Sequence, residues 1–292
     1  MAGLPTVATD VVSEGAVEVR GGTLRYWRLD RGGQDTLLCL HGLGGDHRGL
    51  TELADALPGV NVVLPDLPGY GRSDPMSEVH SLVNYADAVA DLRTALGLGT
   101  CHLLGHSLGA SIALVHAARH GAGLASVSLL NPVSTASNTT ATLGKLYYRI
   151  AAALPTQVAR FWLASRPAVY IADWFVITTK DRARRRRILL EDYENYARAS
   201  VPAMVQSFLS YYETPFEDHA ERLTMPVLVV TGDKDRIAPA GAVTALADRM
   251  PNASVALLPG AGHLVPMEQP VEIAALVHDF IANAASTRST VD

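Results

Sequence analysis

The segment Gly105-His106-Ser107-Leu108-Gly109 constrains the fold of this chain more than any other stretch. It closes an apolar run, Cys101-His102-Leu103-Leu104, and opens a helical pattern from Leu108 to His120. A buried strand that turns directly into a helix belongs to a parallel sheet, because parallel strands need crossover helices to return the chain. Glycines two before and two after the serine mark a turn too tight for side chains at those positions. Ser107 then sits at the apex in a strained backbone, its hydroxyl lifted clear of the sheet edge. The helix start behind it offers N–H groups without intrahelical partners to a developing negative charge.

The rest of the chain repeats this rhythm. Residues 1–13 read as a loose leader, and 16–20 and 24–29 as a hairpin about Gly21-Gly22. The runs at 36–40, 60–64, 125–130, 225–232 and 253–258 read as strands, those at 36–40 and 125–130 as buried ones. Helical spacing predicts helices at 50–57, 85–96, 242–250 and 270–284, with a disordered tail beyond. Residues 133–222 break the alternation. They hold 13 of the 18 aromatic residues and long helical patterns without a strand. They are predicted to form a helical insertion, which divides the chain into 1–132, 133–222 and 223–292.

Strands alternating with helices predict an α/β fold, a mostly parallel central sheet covered by helices, with ligands at the carboxyl ends of the strands. His41-Gly42, Asp66, Ser107, Asp235 and His263 each lie just past such an end. Ser107 needs a base, because an unassisted hydroxyl is a poor nucleophile at neutral pH. Of ten histidines, His263 follows Gly260-Ala261-Gly262, a loop able to bring an imidazole over the sheet edge. The base in turn needs a carboxylate on its other nitrogen. Asp233 and Asp235 both follow the preceding strand, giving the chain order Ser, Asp, His expected with such a serine.

On these residues the chain resembles the α/β-hydrolase superfamily. The likeness rests on His41-Gly42-x-Gly44, Asp66-Leu67-Pro68-Gly69-Tyr70-Gly71-Arg72-Ser73, the serine turn, Gly232-Asp233-Lys234-Asp235-Arg236-Ile237-Ala238-Pro239 and Gly262-His263. It covers nearly all of the chain outside 133–222. It implies the α/β-hydrolase fold with an inserted helical cap. The activity it implies is a serine hydrolase cleaving a carboxylic ester, thioester or lactone through an acyl-enzyme, without cofactor or metal. By the same resemblance Ser107 is the nucleophile, His263 the base and Asp235 the acid, with Asp233 a turn residue. The oxyanion donors carry over to the backbone N–H groups of Leu43 and Leu108. Some relatives place the acid after the strand before the insertion, where this chain has Asn131.

Other activities on this fold are weighed against particular residues. Carbon–carbon bond hydrolases of ring-fission products share the triad, but this chain departs from them at His106, Leu108, Ala110 and Leu264. A cofactor-free perhydrolase would use the same residues. A non-enzymatic hydrolase-fold receptor would not need the complete set. Ser107 argues against dehalogenases and epoxide hydrolases, which use an aspartate nucleophile.

The remaining polar residues have plainer readings. His41 is read as a loop brace, His106 as a spacer or substrate contact, and Asp66 as the pin of its glycine-rich loop. Arg182, Arg184, Arg185, Arg186 and Arg187 are read as a solvated helix face rather than a grip on an anionic substrate. Trp162 and Tyr212 are candidates to line the pocket. Cys39 and Cys101, inside apolar runs, are expected to be buried thiols. A net charge of −5 gives no case for nucleic-acid binding. Arg166, Pro167 and Asp173 interrupt the apolar stretch 161–179, which argues against a spanning helix. The start lacks a basic region followed by an apolar run, so a cytoplasmic protein acting on a small molecule is expected. Oligomeric state is not legible.

Overall fold

In the computed structural model, which describes residues 11–133, 139–214 and 217–289, the apolar runs pair into an eight-stranded sheet. In chain order the strands are β1 Val11–Val19, β2 Gly22–Asp30, β3 Thr36–Leu40, β4 Asn61–Pro65, β5 Cys101–His106, β6 Leu124–Leu130, β7 Val227–Gly232 and β8 Ala253–Leu258. Across the sheet they run β1-β2-β4-β3-β5-β6-β7-β8. β1 and β2 form a hairpin that joins β4 antiparallel, and the pairs from β4 through β8 are all parallel.

A side chain on a strand points to the face opposite its neighbour's, so each central strand feeds two apolar layers. Leu38, Leu40, Leu103 and Val229 enter one layer, shared with α2 Leu82–Ala95 and α3 Leu108–His120. Leu37, Cys39, Leu104 and Val230 enter the other. That layer is shared with α1 Thr51–Asp55 and with α12 Pro270–Ser289, whose Ile273, Val277 and Ile281 are buried in it. Both cysteines are buried free thiols.

Between β6 and β7 the described chain is helical: α4 Thr139–Ala153, α5 Thr156–Ala164, α6 Arg166–Val176, α7 Arg182–Arg198, α8 Val201–Glu213 and α9 Glu217–Ala220. Asp181 and Ser200 cap α7 and α8 by accepting bonds from N–H groups of their first turns. The first apolar layer continues into these helices through Tyr148, Leu163, Met204 and Tyr211. Beyond β7 come α10 Ala240–Ala247 and, before α12, the short α11 Val265–Glu268.

Several boundaries differ from the sequence expectation. β1 begins at Val11, because Val11, Val12 and Ser13 find partners in Asp30, Leu29 and Arg28; residues 1–10 of the expected leader lie outside the described residues. The helix expected at 50–57 opens as a 3-10 turn, His47–Leu50, and its α-helical part ends at Asp55. α12 runs to Ser289 rather than stopping at Ala284, no glycine or proline intervening. β8, the expected last strand, lies at the sheet edge with Val255 and Leu257 exposed. Among the described residues no helix is long and apolar enough to cross a membrane.

Candidate active site

Ser107 stands between β5 and α3 with φ 52° and ψ −111°, a left-handed backbone that L-residues rarely adopt. The flanking glycines make that turn sterically possible. A Cβ on Gly105 would lie 2.1 Å from the Gly109 carbonyl oxygen, and one on Gly109 would lie 2.2 Å from that of Leu40. The Ser107 N–H donates to Leu130 O at 2.9 Å, tying the turn to β6. The loop after β3 lies alongside: a Cβ on Gly42 would sit 3.4 Å from that of Ser107. Leu43 follows Gly42 on that loop, and Leu108 follows Ser107 as the first residue of α3.

The two loops at the far edge of the sheet bring the next groups in. His263 follows β8, and its Nε2 lies 2.8 Å from Ser107 Oγ. Its Nδ1 lies 2.8 Å from Oδ2 of Asp235, on the loop after β7. Oδ1 of the same carboxylate accepts the N–H groups of Ile237 and Ala238, at 2.8 and 2.9 Å. Burial pushes the Asp235 pKa up, but His263, these N–H donors and Asn131 outweigh it and hold the carboxyl below its ordinary value. Asp233 faces elsewhere, accepting the Gly260 N–H at 2.7 Å as a turn residue.

Asn131 is a contributor the sequence reading passed over. It sits at φ 47° just past β6, fully buried, and its Nδ2 donates to Asp235 Oδ2 at 2.5 Å and to Gly262 O at 3.2 Å. The amide thus ties both far loops together from the position where some relatives carry the acid. Its place at a strand end was the available signal.

The other histidines brace loops. His106 Nε2 donates to the His263 carbonyl at 2.8 Å, and burial, reinforced by His263, pushes its pKa down to about 3. It stays neutral and holds the His263 loop. His41 accepts the Leu67 N–H through Nε2 at 2.9 Å while Nδ1 faces Gly42 O at 2.8 Å. Asp66 pins its loop by accepting the Arg72 N–H at 2.7 Å, and also meets the N–H and Nδ1 of His47. Asp46, His47 and Asp66 place ligand-type atoms within 4.8 Å of one another. Each is already engaged by Arg48, Arg72 or another of the three, which marks a loop anchor rather than a metal centre.

The helices between β6 and β7 close over this site. Tyr211 of α8 is buried with its hydroxyl interacting with Ser107. Tyr212, the candidate from sequence, points away and carries Lys145 Nζ over its ring at 3.8 Å, because adjacent helical residues diverge by about 100°. Trp162 also faces outward, against Tyr147. Val176, ending α6, accepts the His263 N–H at 3.3 Å. Behind it, Asp173 of α6 and Asp192 of α7 form a hydrogen-bonded acid pair, one helical turn from Tyr196, which packs against Gly44. Burial drives the Asp173 pKa up to about 7, against the pull of Asp192 and Arg185, and raises that of Asp192 as well.

The arginine run is only partly solvated, contrary to expectation. Arg184 and Arg187 turn inward to Glu52, and Arg184 Nη1 also donates to Met267 O at 2.6 Å. Arg187 and Arg184 hold the Glu52 carboxyl below its ordinary pKa despite partial burial. This clasp fastens α7 to the sheet domain. A cleft of ≈ 260 Å³ lined by Arg48, Glu52, Arg187 and Met267 opens beside it, away from Ser107.

With this geometry in place, the chain is similar to proteins of known class. The sequence pattern of the alpha/beta hydrolase fold family matches residues 35–270. The dihydrolipoyllysine-residue acetyltransferase component of the acetoin cleaving system of Pseudomonas putida is 31% identical over 257 residues, 86% of this chain. The chain spans 64% of that relative's length. A 2-hydroxy-6-oxo-6-phenylhexa-2,4-dienoate hydrolase of Burkholderia cepacia is 28% identical over 277 residues, 87% of this chain and 90% of that one. Among solved structures, a thermophilic esterase from Thermogutta terrifontis matches with a TM-score of 0.78 at 23% identity, covering 95% of this chain and 99% of that one. At that identity the likeness is one of fold.

Proposed function

The chain belongs to the α/β hydrolase fold family, and on that premise we propose that it is a serine hydrolase cleaving a carboxylic ester, thioester or lactone with an apolar part. The observation that carries this reading is the unbroken line Ser107 Oγ–His263 Nε2, His263 Nδ1–Asp235 Oδ2, each link 2.8 Å. Ser107 Oγ attacks the substrate carbonyl carbon while its proton passes to His263 Nε2. The resulting imidazolium is stabilised by the Asp235 carboxylate, which also fixes the ring orientation. Charge develops on the carbonyl oxygen, and the N–H groups of Leu43 and Leu108 receive it. His263 then returns the proton to the departing oxygen or sulfur, leaving an acyl group on Ser107. Water, deprotonated by His263, releases the acid and restores the serine. No step requires a metal or cofactor.

Residues 133–222 act in this reading as a cap that excludes water from the acyl site and selects the substrate by shape. Tyr211 beside Ser107 and Tyr196 against Gly44 supply aromatic surface suited to an apolar acyl part. The similarity to the Burkholderia cepacia hydrolase supports a second reading, hydrolysis of a carbon–carbon bond in a ring-fission product by the same three residues. An assay pairing p-nitrophenyl esters of increasing chain length with a ring-fission dienoate separates the two. For either reaction, Ser107→Ala should abolish turnover while leaving the fold intact, and a serine-directed phosphonate should label Ser107 alone. Labelling at another residue, or near-full turnover in the alanine variant, would remove Ser107 from the mechanism.

A further inference from the structure

Helices α4, α5 and α6 turn large apolar side chains to solvent. Leu143 on α4, Phe161 on α5, and Ile171 and Trp174 on α6 are 63%, 77%, 63% and 60% exposed, with Trp162 and Phe175 beside them. On α6 the usual amphipathic order is reversed: the helix buries Asp173, 3% exposed, and presents its aromatic side outward. The three helices contact one another in chain order, and Tyr147 of α4 meets Trp162 of α5 with ring centroids 5.6 Å apart. Exposed apolar groups gathered on adjoining helices mark an interaction face rather than the scattered exposure of an ordinary surface.

The charges on this face point to its partner. Residues 139–176 contain one acidic side chain, the buried Asp173, and four cationic ones: Arg149 is exposed, while Lys145 over the Tyr212 ring, Arg166 over that of Tyr193 and Arg160, which donates to Ala197 O, lie where the face borders α7 and α8. The chain as a whole carries −5. A further cation, Arg236, lies 5.7 Å from the Trp174 ring at the border of the face. Aromatic rings with interspersed cations and no exposed acid are the composition that settles into the headgroup layer of an anionic membrane.

We propose that the α4–α6 face docks this protein on the surface of an anionic lipid bilayer. The rings of Phe161, Trp162 and Trp174 enter the interface, and the cations lie against lipid phosphates. The face adjoins the site, since Val176 at the end of α6 accepts the His263 N–H. Docking therefore brings apolar chains held in the bilayer next to Ser107. The proposal stands apart from the reaction: Ser107→Ala should dock as well as the unmodified chain, whatever its activity.

The test is co-sedimentation of the full chain with vesicles of phosphatidylcholine mixed with phosphatidylglycerol, and with phosphatidylcholine alone. Binding to the mixed vesicles, weakened by salt and far weaker on phosphatidylcholine, is expected. Phe161→Ser with Trp174→Ser should abolish it. Lys145→Gln with Arg149→Gln should weaken it roughly thirtyfold, which also serves if the apolar pair disturbs folding. Equal binding to both vesicle types, or a charge variant that binds like the parent, overturns the proposal. So does a chain that ignores vesicles and sediments as a dimer split by Phe161→Ser.

Discussion

Asp233 and Asp235 stand two residues apart on one loop, yet only the second meets an imidazole. Asp233 holds the backbone of Gly260, and Asp235 gathers His263, Asn131 and two N–H groups. Asp235→Asn should therefore lower kcat by roughly 10⁴-fold, the scale of aspartate losses in related triads, because an amide cannot stabilise the imidazolium. Asp233→Asn keeps an oxygen for the Gly260 N–H and should leave the rate within a few-fold. Steady-state kinetics of the two variants on one ester decide the matter; the opposite ranking would move the acid by two residues.

At the scale of the element, the turn between β5 and α3 depends on what is missing from its side chains. Gly105 and Gly109 face backbone atoms closer than any Cβ tolerates. Gly105→Ala or Gly109→Ala should cost about 1–3 kcal/mol or more, since neither a carbonyl nor a strand can yield as a flexible side chain does. Gly241 in α10 offers the contrast, with open space where its Cβ would be. Gly241→Ala should stabilise by about 0.4–1 kcal/mol by restricting the unfolded chain. Urea unfolding of the three variants measures both effects.

Across the whole molecule, the helices between β6 and β7 share one apolar layer with the sheet, and that revises what substitutions there can do. Tyr211 lies beside Ser107 and, like its neighbour Tyr148, also belongs to the core. Removing either ring should alter chain-length preference and lower stability together, whereas Leu104→Ala, on the other layer, should cost about 2–5 kcal/mol without changing preference. The acid pair between α6 and α7 makes cap packing pH-dependent. The Asp173 pKa is raised to about 7, so the folded state holds a proton that the unfolded chain releases near pH 4. Stability from this group is full below that lower value and is lost as pH rises through about 7. Asp173→Asn removes this group's share of the dependence and the charge it sets beside Asp192, so its advantage in Tm over the parent should grow from pH 5 to pH 8. A constant difference across that range would mean that Asp173 is ionised in the folded protein throughout.

The sequence by itself determined the strand–helix alternation, because buried parallel strands must be apolar on both faces and their connections must be helical. It also marked Ser107 and His263 and narrowed the acid to Asp233 or Asp235, since all lie just past an apolar run, where this architecture presents polar groups; the choice of Asp235 came from the family resemblance. What it left open depended on contacts between distant segments. Which of two neighbouring tyrosines faces Ser107 depends on the rotation of α8 against the sheet. Whether an arginine is solvated depends on Glu52, 132 residues away from Arg184 in the chain. His106 has no local signature as a brace, and Asn131 only its place at a strand end, because the carbonyls and carboxylate they hold arrive from the loops after β7 and β8. Local spacing decides what an element is; only the packed chain decides what each side chain meets.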